Sequence, residues 1–477
     1  MDNAVGPQPV MNLEDREVCV TGLGVTGPPT ARVLAARGAR VTVVDAADDD
    51  ERRARAAELE SLGVKVILGQ VPDSPPPGTD LVVTSPGWRP ATPLLAAARA
   101  AGVPVIGDVE LAWQLRPAFA GGRRQEWLAV TGTNGKTTTV RMLASMLAAA
   151  GHRVMAAGNV GTALTDVVTD PHPYPVLAVE LSSFQLHWSA TVRPHSAVVL
   201  NVAPDHLDWH GSMEAYARDK GRIFAAGTVA VCNADDAWSA RLAAEAAGDR
   251  AVAFTLGPPG PRQLGVARDT LVDRAFCEDG KQAELAAVSD VQPAAPHNVA
   301  NALAAAALAR SYGAPAGAVR RGLRAFQPER HRISLVGSVG GVDYVDDSKA
   351  TNPHAAAASL AAYPSVVWVA GGLLKGAEVD DLISGAAGRL RAAVLLGTDR
   401  AKIGQALARH APNVPVVEVS GTDTGVMDLV VTECAAFARP GDTVLLAPAA
   451  ASLDMFKNYG ERGDAFAAAV HRLAAAG

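Results

Sequence analysis

Three things are scarce in this sequence, and each shortage excludes something. Cysteine comes first: Cys19, Cys232, Cys277 and Cys434 are scattered, without a C-x-x-C pair. That spacing offers neither a zinc site nor a disulfide framework, and it fits a reducing compartment. Lysine is second. Only eight of the 43 basic residues are lysine, and no Lys/Arg block stands out in a chain of formal net charge −6. This is not the footprint of a nucleic-acid or anionic-membrane binder. Third, the most apolar stretch, AAAASLAAYPSVVWVAGGLL at 355–374, is broken by Pro364 and by Gly371 and Gly372. It predicts a helix, a turn and a buried strand, not a membrane span. The N-terminal MDNAVGPQPVMNLEDREV is acidic and has no apolar centre, which argues against a secretory signal. A soluble, cytoplasmic protein is expected, and a monomer.

What is present is length and alternation. The chain has 477 residues, 49% of them apolar, enough for about three domains. Short β-branched runs recur at 18–22, 41–45, 81–85, 127–132, 176–180, 197–201, 366–372, 393–397 and 443–447, separated by Ala/Leu-rich helical stretches. That pattern predicts an α/β protein of parallel sheets covered by helices, with ligands gathered beyond the carboxyl ends of the strands. Breaks near PAFAGGRRQE (117–126) and FQPERHR (326–332) divide it into domains at 1–120, 121–328 and 329–477.

Two glycine-rich turns follow strands. The first, Gly22-Leu23-Gly24-Val25-Thr26-Gly27, opens a helix, and Asp45 ends the next strand. Context and spacing match a Rossmann turn, which lets a diphosphate approach free helix amides. The diphosphate of a UDP-sugar suits it as readily as NAD, and no hydride-transfer constellation follows. A packing turn that binds nothing is the plain alternative. The second, VTGTNGKTTT at 130–139, runs strand, loop, helix and is a shortened phosphate loop. The amides of Gly132, Thr133, Asn134 and Gly135 would wrap a triphosphate. Lys136 would meet its terminal phosphates, and Thr137, followed by Thr138, would offer a hydroxyl to magnesium.

GTNGKTT resembles the ATP loop of the Mur ligases and of their relative folylpolyglutamate synthase. TSPG (84–87), GNVG (158–161), ELSSFQL (180–186), NVAPDHLDWHGS (201–212), HNVANALAA (297–305), HR (331–332), DDSKATN (346–352), GG..KG (371–376) and SLDMFKNYGERG (452–463) extend the resemblance over almost the whole chain. It implies a Rossmann-like N-terminal domain, a P-loop ATPase-like central domain and a Rossmann-like C-terminal domain. The motif set is most similar to the branch that joins D-glutamate to UDP-N-acetylmuramoyl-L-alanine through an acyl phosphate. The resemblance implies ATP and two Mg2+ ions as cofactors and these two compounds as partners.

The resemblance also implies roles. Glu180 and His206 would be magnesium ligands with Thr137. Lys220, on a predicted helix where a lone lysine is ordinarily solvated, would be carbamylated to become an anionic ligand. Asp205 lies beside His206, whereas Asp208 and His210 are read as structural. Asn298 and Asn301 share a helix face and, with Arg332 and Asp347 of the next domain, would contact ATP. Arg332 would meet the phosphates once the domains close. The sugar nucleotide would meet Ser85, Pro86, Gly87, Asn159, Ser182 and Ser183 besides the first turn, with Phe184 shaping the pocket. Lys349, at a helix N-terminus, suits a phosphate or acyl intermediate. Thr351, Lys375, Ser452, Leu453 and Tyr459 would hold D-glutamate, with a helix N-cap as the plain alternative for Ser452. Five of the scarce lysines, Lys136, Lys220, Lys349, Lys375 and Lys457, fall inside these motifs.

The chain departs from the pattern after Asp45, where Ala46 and Ala47 replace the Thr-Arg that often packs uracil. It departs again at Leu373 and Leu374, which replace a more polar pair. The alternatives are a Mur-type or folylpolyglutamate synthase-like ligase for another amino acid, an NAD-dependent oxidoreductase, and a non-catalytic UDP-sugar binder.

Overall fold

The computed structural model describes residues 11–278, 280–421 and 425–476. Residues 1–10, which carry most of the stretch judged against a secretory signal, lie outside it. The chain forms two compact units. One holds the chain up to Val202, His206–Asp290 and Ala300–Phe326; the other holds Ala203–Asp205, Val291–Val299 and the chain from Gln327 onward.

The first unit contains two sheets. Strands β1 (Glu17–Thr21), β2 (Arg40–Val44), β3 (Lys65–Ile67), β4 (Leu81–Thr84) and β5 (Val105–Gly107) form a parallel sheet in the order β3-β2-β1-β4-β5. The winding reverses between β1 and β4, so the turns after these strands border one crevice. The second sheet is built from β6 (Glu126–Thr131), β7 (Val154–Gly158), β8 (Val176–Glu180), β9 (Ser196–Val199), β10 (Val229–Asn233), β11 (Val252–Phe254), β12 (Gln263–Ala267), β13 (Thr270–Asp273) and β14 (Ala283–Ala287). Its order is β14-β13-β12-β11-β10-β9-β6-β8-β7. The all-parallel expectation fails at one edge, where β12, β13 and β14 pair antiparallel. A two-residue turn joins β12 to β13 and a longer loop joins β13 to β14, with no crossover helix among the described residues. Nothing in their short, mixed runs repeats the buried β-branched pattern of the central strands.

The two sheets meet through buried Glu110, whose Oε2 accepts from the amides of Ala190 (2.7 Å) and Thr191 (2.9 Å). The helix Pro296–Ser311 shows why the alanine run is there. Every residue from Ala302 to Ala309 is fully buried, so small side chains let a helix be enclosed on all sides.

The second unit has β15 (Ser334–Val339), β16 (Val342–Asp346), β17 (Val366–Gly371), β18 (Leu390–Leu396), β19 (Val416–Glu418) and β20 (Thr443–Leu446), in the order β15-β16-β20-β17-β18-β19. Only β15 runs antiparallel. The apolar stretch at 355–374 resolves as expected: helix Pro353–Leu360, a turn, then β17, buried along its whole length. No helix among the described residues is long and apolar enough to cross a membrane.

Candidate functional site

The first turn is held by its own neighbours. A Cβ on Gly27 would lie 1.8 Å from the Gly22 carbonyl oxygen, so packing alone demands glycine there. A Cβ on Gly24 would meet nothing within 4 Å. No protein contact demands glycine there. Asp45 braces the turn: its Oδ2 accepts from the Leu23 amide at 2.6 Å, and its Oδ1 from the Ala47 amide at 2.8 Å. Ser85 stands across the crevice, its Oγ 3.4 Å from Thr26 Oγ1.

The second turn joins β6 to the helix Lys136–Ala149, with Gly135 as left-handed N-cap (φ 84°). Asn201, at the end of β9, clamps it. The Asn134 amide donates to Asn201 Oδ1 (2.9 Å), Asn201 Nδ2 donates to the Asn134 carbonyl (3.1 Å), and the Thr133 amide donates to the Asn201 carbonyl (3.0 Å). Lys136 Nζ donates to the carbonyls of Gly132 and Thr133, both at 3.0 Å. Asn301 leans on the loop, since a Cβ at Gly135 would come within 2.3 Å of its Oδ1. Asn298 is buried in the other unit, its Nδ2 3.2 Å from the Pro293 carbonyl.

Lys220 breaks the rule for a helical lysine. It is 2% exposed and reaches the loop, donating from Nζ to the Gly132 carbonyl at 2.9 Å. Its ammonium sits 4.5 Å above the Tyr216 ring, whose hydroxyl is 3.1 Å from Thr133 Oγ1.

Glu180 ends β8 and is also 2% exposed. Its Oε1 accepts from Asn159 Nδ2 at 2.9 Å, while Oε2 has no hydrogen-bond partner. A buried, half-satisfied carboxylate beside a phosphate loop is what a hard cation fits. Among the described residues no three His, Cys, Asp or Glu side chains gather to hold a metal alone.

Next to Glu180, Ser182 forms a capping box with Gln185 on the helix Ser183–His187. Ser183 Oγ lies 3.0 Å from His210 Nε2, and His210 Nδ1 lies 2.9 Å from Asp219 Oδ2. Burial pushes the Asp219 carboxyl up, but hydrogen bonds from His187 and His210 and the Arg222 charge outweigh it and hold it at about 2. Phe184 stacks on His210 and lies 4.7 Å, centroid to centroid, from His206, which has a left-handed backbone (φ 54°). Asp208 pairs with Arg89 at 2.9 Å.

In the second unit, Lys349 Nζ lies 3.8 Å over the Tyr459 ring. The turn carrying Lys349 is held by Arg462, 1% exposed, whose guanidinium donates to Ser348 Oγ (3.0 Å), the Ser348 carbonyl (2.9 Å) and the Ala450 carbonyl (3.1 Å). Burial lowers the Arg462 pKa to about 10. Asp347 is buried; burial pushes its carboxyl up to about 6 against the Ser359 hydroxyl, which favours the ion. Arg332 Nε donates to Glu329 Oε2 at 3.0 Å. The Thr351 amide donates to the Lys349 carbonyl at 2.8 Å. Lys375 has a left-handed backbone (φ 53°). Leu373 exchanges two backbone bonds with Ala451, and Leu374 is buried, so the apolar pair knits this loop to the one before Ser452. Ser452 is buried and Leu453 is 62% exposed. The expected N-cap at Ser452 is not found: the last helix starts at Tyr459, and the Ser452 carbonyl closes a turn to Met455 and Phe456.

Asn201, Tyr216, Asp219 and Arg462 had no individual reading from the sequence. Asn201 alone left a trace there, as a polar residue ending a strand. A shallow cavity of about 680 Å³ lined by Arg123, His152, Arg153, His195 and Tyr312 opens before the starts of β6 to β9. It lies at the end of the sheet away from both loops and shares no residue with them.

The chain matches three families in sequence: the Mur ligase MurD-like N-terminal domain over 16–107, the Mur ligase middle domain over 130–309, and the Mur ligase glutamate ligase domain over 331–450. It is 62% identical over 466 residues to the UDP-N-acetylmuramoylalanine–D-glutamate ligase of Streptomyces coelicolor, covering 96% of this chain and 98% of that one. The same enzyme of Thermobifida fusca is 62% identical over 471 residues, covering 97% and 100%. Among solved structures, a pseudomurein peptide ligase type C from Methanothermus fervidus superimposes with a TM-score of 0.57 at 19% identity, over 96% of this chain and 100% of that one. The UDP-N-acetylmuramate-alanine ligase of Thermotoga maritima does so with a TM-score of 0.55 at 20% identity, over 97% and 100%.

Proposed function

The chain belongs to the Mur ligase family, and from that premise we propose that it joins D-glutamate to UDP-N-acetylmuramoyl-L-alanine, using ATP, in peptidoglycan precursor synthesis. The reading is supported by full-length identity to D-glutamate ligases. One geometric observation carries the chemistry: Lys136 and Lys220, far apart in sequence, both place Nζ on the Gly132 carbonyl.

A carboxylate is a poor electrophile, and ATP answers this by forming an acyl phosphate. The amine of D-glutamate then adds to the acyl carbon, and phosphate leaves from the tetrahedral intermediate. What the protein must contribute is position and positive charge around the moving phosphoryl group. In this reading the loop amides from Gly132 to Thr138 cradle the triphosphate. Lys136 swings from its loop carbonyls onto the terminal phosphates, and Asn298, Asn301, Arg332 and Asp347 complete ATP binding. Glu180, Thr137, His206 and a carbamylated Lys220 would hold Mg2+, as two ions. The metal would neutralise phosphate charge and polarise the transferred group. Lys349 serves the acyl phosphate. Thr351, Lys375, Ser452, Leu453 and Tyr459 bind D-glutamate.

The sugar nucleotide goes to Gly22–Gly27, Asp45, Ser85–Gly87, Asn159, Ser182 and Ser183. Asp45, Asn159 and Ser182 act there through the backbone and side chains they brace. The domains run 1–120, 121–328 and 329–477, and the protein works in the cytoplasm as a monomer without nucleic-acid or membrane partners. The test is isotopic. With oxygen-18 in the carboxylate of UDP-N-acetylmuramoyl-L-alanine, one label must appear in the released inorganic phosphate. Unlabelled phosphate would refute the mechanism, and turnover with another amino acid instead of D-glutamate would refute the substrate.

A further inference from the structure

The sugar-nucleotide turn is short of two things that a base and a diphosphate ordinarily use. The helix it opens, Gly27–Ala36, begins Gly-Pro-Pro, so two amides of the first turn do not exist. The end of β2 carries Asp45, whose oxygens are taken by the Leu23 and Ala47 amides. After it come only Ala46, exposed, and Ala47, half-buried. No side chain at 46 or 47 can cover a base.

The next helix, Asp50–Glu60, returns two arginines to this spot. Arg52 and Arg55 are three apart and so share a face. Arg55 Nη1 donates to the carbonyls of Leu23 (2.9 Å) and Gly24 (3.2 Å), and its Nη2 donates to Glu51 Oε1 (2.6 Å). Arg52 Nε lies 3.4 Å from Asp45 Oδ1, and its Nη1 pairs with Asp49. Both side chains remain partly open, at 30% and 28%. Every one of these bonds is made through the edge of a guanidinium. The charge is met by Asp45, Asp49 and Glu51, with Asp48 and Asp50 close by in sequence, so the place is poor for a diphosphate. What is left is a flat face, pinned at its rim, and flat guanidinium faces stack on flat rings.

We propose that Arg55, backed by Arg52, is the wall against which the uracil ring of the sugar nucleotide stacks. This rests on the UDP-sugar reading given above. Arg55 is thus a specificity-determining residue: it selects a planar base at the rim of the turn, while the amides of the turn take the diphosphate.

The test is calorimetric titration of UDP into the full chain, comparing wild type with Arg55→Lys and Arg55→Met, with ATP as a second ligand. A stacked base is worth roughly a tenfold change in affinity. Both variants are expected to bind UDP about tenfold more weakly and to bind ATP within about twofold of wild type. A second arm uses 5,6-dihydro-UDP, whose ring is puckered. Wild type should discriminate against it by a similar factor, and Arg55→Met should not discriminate. Recovery of full UDP affinity in Arg55→Lys would mean that charge, not the plane, matters, and would overturn the proposal. Equal UDP binding by all three proteins would overturn it too. If wild type itself bound no UDP, the UDP-sugar reading would fail, and this inference with it.

Discussion

Lys220 Nζ, buried on the helix Met213–Gly221, donates to the Gly132 carbonyl at 2.9 Å, and Lys136 Nζ donates to the same oxygen at 3.0 Å. Two ammonium groups therefore meet on one acceptor at the mouth of the phosphate loop. Repulsion between two like charges on one acceptor favours an anion nearby. A triphosphate relieves it from one side. In the reading proposed above, carbon dioxide would relieve it from the other: Lys220 would give up its ammonium proton, and the free amine would add carbon dioxide and shed a second proton to become a carbamate.

Lys220→Ala is therefore expected to lower kcat on the order of a hundredfold or more, the scale of losing one group that organises transition-state charge. Carbon-13 NMR with labelled bicarbonate should show a carbamate resonance in wild type and none in the variant. Activity near wild type in Lys220→Ala would end this assignment.

The two glycine turns should separate cleanly. Lys136→Ala is expected to abolish ADP formation and leave UDP binding within a few-fold, about 1 kcal/mol. Gly24→Val should do the opposite. A Cβ there meets no protein atom within 4 Å, so the fold should tolerate the substitution while the diphosphate loses its approach. Thermal unfolding would confirm that Gly24→Val is intact. Equal losses in both assays for both variants would count against the division.

The motifs were legible in the sequence because each combines a strand end, small residues and a helix start, and backbone geometry alone dictates that combination. The central strands were legible for a similar reason, being buried runs of β-branched residues. The edge strands β12 to β14 were not, because they are short and mix Gln, Gly, Ala, Asp and Glu with few β-branched residues. The alternative of a cap at Ser452 falls because serine before a helix looks the same whether the helix starts at once or seven residues later. The burial of Lys220 was invisible to periodicity: its neighbours Arg218 and Asp219 look solvated, and only the fold turns that face onto the loop. Arg462 leaves no individual trace inside its motif, since its hydrogen bonds go to carbonyls and a serine hydroxyl of segments distant in sequence.

Glu180→Gln tests the metal directly. The orphaned Oε2 is the group left for a cation, and the amide that replaces it cannot match a carboxylate's charge. Bound Mn2+, read by electron paramagnetic resonance in the presence of ATP, is expected to weaken by about tenfold or more. ATP-driven turnover should fall with it, and chelation should stop wild type altogether. Undiminished Mn2+ binding would remove Glu180 from the metal site.

Asp108 offers a prediction about stability. It opens the helix Asp108–Leu115 at the junction of the two sheets of the first unit, 5% exposed, with Oδ1 lacking a partner. Burial raises its carboxyl to about 6, and backbone amides and Gln185 only partly oppose this. The sign follows from linkage. Below the unfolded value of 3.8 both states carry the proton and the burial costs nothing. As pH rises through about 6 the folded state must hold an ion that water would hold more cheaply, and stability is lost. Asp108→Asn keeps the shape without the ion. It should be more stable than wild type at about pH 8, by up to about 3 kcal/mol as an upper bound from a shift of about two units. The gain should shrink between about pH 6 and 4 and vanish below. Urea unfolding of both proteins across that range would show it. A pH-independent difference, or a variant less stable at about pH 8, would mean that the Asp108 carboxylate is held by partners stronger than its hydrogen bonds indicate.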